Sequence, residues 1–509
     1  MFDESSQPTN SESINVSTIM KKSNNQLDVA IDKAQEKLLS LQNEDGHWIF
    51  ELEADCCIPA EYIMMMHYLG EIDEELQSKM ANYIRSRQEE DGHYPLFTEG
   101  EGDISSSIKS YYALKLAGDS IDAPHMQKNR EYILSQGGAA KANVFTRIAL
   151  ATFEQLPWRG VPYIPVEIML LPKWFPFHLD KVSYWSRTVM VPLFILCTFK
   201  ATAKNPLKIG VRELFLIDPD KEKHYFPERT FLNKCFLGLD KLGRVTRRFY
   251  PKKMTDLAVS KAVDWFTERL NGEDGLGGIF PAMVNAHEAM LLLGYPKDHE
   301  HVLLTRRSID KLLVINEDDA YCQPCLSPVW DTGLAALALQ EADKEANSES
   351  LTRAYDWLKN KQLSDEPGDW RITKPNVEGG GWAFQYENPH YPDVDDTAVV
   401  AFAMADSNLP DPDFDEAIHR ATRWIIGMQS KNGGYGAFDV DNTYYYLDEI
   451  PFADHGALLD PPTADVSARC AMLMAKVAQD HDEYLPALER TIEYIRGEQE
   501  EDGSWFGRW

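Results

Sequence analysis

The sequence predicts an all-α fold whose helices close into α/α barrels. Three observations carry the prediction: a recurring helix-and-turn signature, scarce strand-like alternation, and a repeat spacing that leaves room for two or more helices. The signature is an amphipathic helix ending in Gln, a short acidic turn with Gly, then an aromatic residue. It occurs at Ala34–Trp48 (AQEKLLSLQNEDGHW), Met80–Tyr94, Arg353–Trp370, Arg420–Tyr435 and Arg490–Trp505, with a degenerate copy at Lys261–Gly278. In each copy Gly supplies the turn at the helix end, the aromatic packs onto the next helix, and Gln hydrogen-bonds a neighbouring backbone. The last three copies stand about 70 residues apart, the length of a helix pair with its connections.

Composition sets the outer limits. A chain of 509 residues with 44% hydrophobic content buries a large core and divides into two or more domains. A formal net charge of −30 argues against nucleic acid as a partner, because neutralising phosphates needs a basic surface. Seven cysteines, with Cys56 and Cys57 adjacent, suit packing in a reducing compartment. Cys322 and Cys325 form a lone C-x-x-C without the second pair that a zinc site needs. The first 25 residues, rich in Ser, Asn and Gln and without an apolar core, read as a disordered tail rather than a secretion signal. The longest uncharged apolar run, Thr188–Phe199, has 12 residues, short of the roughly 20 that span a bilayer. A cytoplasmic location follows as the expectation.

The most unusual stretch is Pro392–Ala398, which places Asp393, Asp395 and Asp396 within four positions just before an apolar run. Pro392 disfavours helix at Tyr391 and Thr397–Met404 reads as a helix start, so the acids sit at an N-terminus. Capping by Asp396 or Thr397 accounts for one acid only. A calcium loop of EF-hand type needs Gly and an acid where this chain has Ala398 and Met404. Acid catalysis accounts for all three, because crowded carboxylates cannot all ionise and one stays protonated at neutral pH.

Two further segments stand out. Between Lys221 and Lys253 ten Lys or Arg oppose three acids, and Phe231, Leu232, Phe236, Leu237, Leu239 and Leu242 lie among them. A basic helix with an apolar face lies on an anionic membrane surface, or packs on its own domain. Aromatic residues gather around the acids, in Gly379–Tyr386, Ser327–Asp331 and Tyr435–Asp441. Aromatic faces hold a cation without supplying a nucleophile.

Together, Asp393-Val-Asp-Asp-Thr-Ala398, the Gln-to-Trp repeats, Ser327-Pro-Val-Trp-Asp-Thr-Gly333, and Ile450-Pro-Phe-Ala-Asp454 with Asp460-Pro-Pro-Thr-Ala-Asp465 resemble the class II triterpene cyclases, most closely those of squalene–hopene type. The likeness runs from about residue 30 to the last residue. It implies terpenoid-cyclase-type toroids: residues 26–51 and 326–509 form the catalytic α/α barrel, and residues 52–325 an inserted one. It implies proton-initiated polycyclisation of squalene to hopene or hopanol in hopanoid synthesis, without metal or other cofactor. Oxidosqualene cyclases carry a motif resembling Asp-Cys-Thr-Ala, so Val394, Asp395 and Asp396 favour squalene over its oxide.

By this resemblance Asp395 is the general acid, flanked by Asp393 and Asp396, and Arg469, one turn beyond Asp465, hydrogen-bonds it. Trp330, Phe384 and Phe438 line the end where the first rings close. Trp185, Ile279, Phe280 and Pro281 line the end where the last cation forms, Glu61 matches a polar position near that exit, and Trp509 is a further cavity position. Phe438 stands where some members have Tyr. Phe280 stands where some have Gln, a residue associated with ordering the water that ends the reaction. Phe231, Leu232, Phe236, Leu237, Leu239 and Leu242 enter one leaflet, making the protein monotopic on the cytoplasmic side of the cell membrane. The expected partners are squalene, the membrane surface and a second copy in a homodimer. The family continues past the position of Trp509, so the chain is expected to be a fragment. The rivals are a related cyclase acting on a C35 polyprenyl substrate, an inverting glycosidase and a non-catalytic helical repeat scaffold.

Overall fold

The computed structural model describes the backbone of residues 16–226, 230–364, 368–407, 409 and 412–507. Among them the chain forms seventeen α-helices and one short antiparallel ribbon. The helices are α1 (Val16–Leu41), α2 (Cys57–Leu69), α3 (Glu74–Ser86), α4 (Ile104–Leu116), α5 (Pro124–Ser135), α6 (Val144–Thr152), α7 (Tyr184–Phe199), α8 (Phe231–Thr246) and α9 (Lys252–Thr267). They continue with α10 (Phe280–Leu292), α11 (Glu300–Asp310), α12 (Pro328–Asp343), α13 (Ser348–Lys361), α14 (Val394–Ser407), α15 (Pro412–Gly427), α16 (Ala464–Val477) and α17 (Leu485–Gly497). Strands β1 (Leu313–Ile315) and β2 (Ala320–Cys322) pair with Val314 opposite Tyr321. Helix α1 begins inside the stretch that composition reads as a tail, so residues 16–25 are helical there; residues 1–15 lie outside the described residues.

Inner and outer helices alternate. Helix α2 buries ten of its thirteen residues, which places it inside, whereas the following α3 buries five along one stripe, which places it outside. In one core α2 packs on α4 and α7 on α10, with α3, α5, α9 and α11 outside; in the other α14 sits between α12 and α16, backed by α13, α15 and α17. The first core gathers buried side chains from Cys56 to Leu326 and takes in Leu447, Phe452, Leu458 and Leu459. The second unites Trp48 with residues from Val329 to Leu488. Trp48 reaches it because its N–H donates to Thr332 Oγ1 (2.9 Å) and the Phe50 N–H donates to Asp331 Oδ2 (2.9 Å), both on α12.

The repeats fasten each outer helix to the next. Gln42 Nε2 donates to the carbonyls of Gly46 and Ser350, Gln88 to those of Gly92 and His125, and Gln429 to those of Gly433 and Ala487. One side chain thus closes its own turn and anchors the start of the neighbouring helix. Gly46 has φ +103°, and a Cβ there would stand 2.5 Å from the Arg353 carbonyl oxygen, so the turn needs glycine. The copy read at Arg353–Trp370 departs from expectation. Gln362 donates to Gly380 and Ala417, and the indole that points back, Nε1 to the Leu358 carbonyl at 2.6 Å, is Trp382. The segment between is an insertion within the repeat, and Trp370 instead meets Trp424 edge-on at 6.1 Å.

Buried ion pairs join the cores. Arg187 on α7 donates to Asp439 (2.8 Å) and lies 3.7 Å from Asp369, which also accepts from Arg269 at 2.6 Å. Asp454 accepts from Arg147 (2.7 Å) and from the Val144 N–H (2.9 Å) on α6, so the Ile450–Asp454 motif is a clamp.

Candidate active site

The N-terminal ends of the three inner helices of the second core converge on one cavity. Trp330 comes from the first turn of α12, Asp395 and Asp396 from that of α14, Asp465 from that of α16, and Arg469 from the next turn of α16. Asp393 caps α14: its Oδ1 accepts the N–H groups of Asp395 (2.7 Å) and Asp396 (3.3 Å). The cap is therefore Asp393 and neither Asp396 nor Thr397. The Thr397 hydroxyl donates to the Asp393 carbonyl and accepts the Trp382 N–H (2.9 Å), locking motif to repeat. Phe438 is fixed by Asp460, whose carboxylate accepts the N–H groups of Ala437, Phe438 and Asp439.

One of the acids is paired with a guanidinium. Arg469 Nη1 reaches both oxygens of Asp395, at 2.9 and 2.7 Å, and its Cζ lies 5.6 Å from the Trp330 ring centre. Burial, with the Asp395 charge beside it, holds the Asp393 carboxyl well above the usual carboxylate range. Burial and the neighbouring Asp393 and Asp395 do the same to Asp396. Burial also raises Asp395, while Arg469 pulls it partway back. Asp396 Oδ1 and Asp465 Oδ1 are buried without a hydrogen-bond partner among the described residues. The cluster is therefore biased toward holding protons, on carboxyls that face a cavity.

That cavity encloses about 540 Å³ and is walled by Trp330, Phe384, Tyr391, Phe438 and, farther along, Trp185, Ile279 and Pro281. A second cavity of about 260 Å³ shares Ile58, Trp185, Ile279 and Pro281 with it and holds Glu61. Thus Asp393, Asp395, Asp396, Asp465, Arg469, Trp330, Phe384, Phe438, Trp185, Ile279 and Pro281 come together as expected, with Glu61 behind the shared wall. Phe280 does not join them: it is fully buried and stacks on Tyr62, ring centres 6.2 Å apart. Trp509 lies outside the described residues.

Sequence reasoning missed Ile58, Pro324, Cys325 and Tyr391, all on the wall. Tyr391 adjoins Pro392, and Pro324-Cys325 adjoins Ser327–Asp331, so proximity to a motif was the available signal. Ile58 stands one helical turn before Glu61 on α2. Cys325 was read as packing and faces the cavity instead. Burial pushes its thiol up to about 12, so it offers no activated nucleophile.

A proton store at one end of an aromatic cavity defines an enzyme that starts its reaction by proton transfer to an apolar substrate. Family models for the squalene-hopene cyclase N-terminal domain and C-terminal domain match residues 31–318 and 326–509. The chain is 50% identical over 492 residues to a squalene–hopene cyclase of Zymomonas mobilis subsp. mobilis, covering 94% of this chain and 74% of that one. It is 48% identical over 492 residues to one of Bradyrhizobium diazoefficiens (95% and 74%) and 37% over 482 residues to one of Alicyclobacillus acidocaldarius (94% and 75%). The chain belongs to the squalene–hopene cyclase family.

Proposed function

We propose that the protein converts squalene to hopene and hopanol by proton-initiated polycyclisation, with Asp395 as the acid. The observation that carries the reading is the set of raised carboxyls opening onto a cavity walled by Trp330, Phe384 and Phe438. Asp395 gives its proton to the terminal double bond, whose electron pair forms the new C–H bond and leaves a tertiary cation. Each following alkene attacks the cation before it, and the rings close in sequence. Arg469 stabilises the aspartate left behind, and Asp393 and Asp396 keep the site able to hold a proton. Aromatic faces lower the energy of the migrating charge, by about 1–2 kcal/mol each when desolvated. Gas chromatography of the full-length protein incubated with squalene tests the reading: cyclised product is expected, and none from a heat-killed control.

Activity needs protonated Asp395, so the rate falls as pH rises through that group's raised pKa. Arg469 lowers the pKa, so Arg469→Gln moves the fall to higher pH while slowing turnover, because the aspartate product loses its partner. A pH–rate profile whose falling limb moves to lower pH would contradict the assignment.

The membrane reading rests on α8. Phe231 (84% exposed), Leu232, Leu239 and Leu242 form an outward apolar stripe, whereas Phe236 and Leu237 are half-buried. Phe236 continues a chain of rings through Phe177 and Phe175 to the exposed Trp174, with centres 5.6–5.9 Å apart. No helix among the described residues is long and apolar enough to cross a membrane. We infer from the exposed apolar stripe and the basic residues around it that α8 lies in one leaflet, on the cytoplasmic side. Leu239→Gln with Leu242→Gln is expected to cut binding to anionic vesicles by tenfold or more, roughly the loss of two buried leucines, as read by flotation. We also propose a catalytic barrel of residues 26–51 and 326–509 and an inserted barrel of residues 52–325: Trp48 packs with residues 329–488, while the 447–459 segment packs onto the inserted barrel's core. Light scattering of the detergent-bound protein tests the homodimer.

A further inference from the structure

A proton taken up at the Asp395 end has to be given up at the far end, and Trp185, Ile279 and Pro281, which the resemblance sets at that far end, also line the second cavity. Its wall is mostly apolar, with Met64, Phe145, Val189 and Leu193 among its side chains. Two carboxyls, Glu61 and Glu288, face it. Glu61 is engaged: Lys109 Nζ lies 2.6 Å away and the pair is largely enclosed. Glu288 has no hydrogen-bond or ion-pair partner among the described residues. It stands on the face of α10 that carries Pro281, Val284 and Asn285, at the i, i+3, i+4, i+7 spacing, so the helix that walls off the first cavity delivers this carboxyl into the second.

We propose that Glu288 takes the proton that ends the reaction, and so sets the ratio of alkene to alcohol. This rests on the cyclase reading above. A C–H bond on a methyl next to the last cationic carbon breaks, its electron pair becomes the new double bond, and the proton passes to the Glu288 carboxylate. The proton given by Asp395 at the start balances the one removed. When water reaches the cation first, its oxygen lone pair forms the C–O bond, the oxonium gives a proton to solvent, and the product is the alcohol. Burial, with the Glu61 charge nearby, pushes the Glu288 carboxyl up to about 8, so the carboxylate that accepts the proton becomes the main form only above that pH, and the alkene share should rise as pH climbs toward it.

Product ratios from squalene test it, with parent, Glu288→Gln and Glu288→Asp as full-length proteins. Glu288→Gln is expected to lower the alkene-to-alcohol ratio at least tenfold, the low end of what a placed base contributes. Glu288→Asp keeps the charge but withdraws it by one methylene, and is expected to lower the ratio about threefold. A purely structural role would reduce both products together and leave the ratio unmoved. An unchanged ratio in either variant that folds, checked by its melting curve, overturns the proposal. A parent that forms no cyclised product overturns the cyclase reading instead.

Discussion

Asp395→Asn is expected to reduce squalene consumption by roughly three orders of magnitude, the scale of a general acid's contribution. The substitution keeps the shape and its one remaining oxygen still accepts from Arg469, which reaches both oxygens of the aspartate, but an amide has no proton to give to an alkene. Asp393 serves as the cap of α14, its Oδ1 accepting the N–H groups of Asp395 and Asp396. Melting behaviour should stay close to the parent, since the cap and the Thr397 bond remain. Steady-state turnover measured beside a thermal melt separates the two effects: loss of rate without loss of stability supports the role, and a variant that cyclises at the parent's rate removes it.

Arg187→Met is expected to be the most damaging change outside the cavity. Arg187 is fully enclosed and links α7 of the first core to Asp439 and Asp369 of the second. Removing one partner of a buried pair leaves an uncompensated charge, at about 3–5 kcal/mol. Among the described residues Asp439 would keep only the Tyr184 N–H at 2.8 Å. Burial already pushes the Asp439 carboxyl up to about 7. Arg187 lowers that value, so the variant's Asp439 sits higher still and folds protonated in acid. A raised carboxyl contributes stability that is present at acid pH and lost as pH climbs through the folded pKa. The deficit should therefore be larger at pH 8 than at pH 5, as read by denaturant unfolding at both. Lys431→Gln, which breaks a pair between the exposed Lys431 and Asp441, should change little.

Much of this was legible in the chain itself. The Gln-to-aromatic repeats announced paired helices because one side chain must close a turn and anchor a neighbour, which fixes residue type and spacing. The Asp393–Asp396 cluster announced proton chemistry because capping explains only one acid. What escaped depended on helix phase and insertion. An inserted segment moved the repeat's Gly and Trp from Gly368 and Trp370 to Gly380 and Trp382, and sequence spacing picked the nearer pair. Helix α14 starts at Val394, so the cap fell on Asp393. Phe280 and Pro281 are adjacent at the start of α10 and therefore face different ways, one onto Tyr62 and the other into the cavity. Glu288 lies in no motif, and only the face it shares with Pro281 marks it.

The central claim is that an enzyme-held proton, relayed from solvent, enters the first ring. Squalene incubated with the full-length protein in heavy water, with products read by mass spectrometry, tests this most directly. One deuterium per product molecule, located in the first ring, is the predicted result. Cyclised product that carries no solvent deuterium would contradict the account.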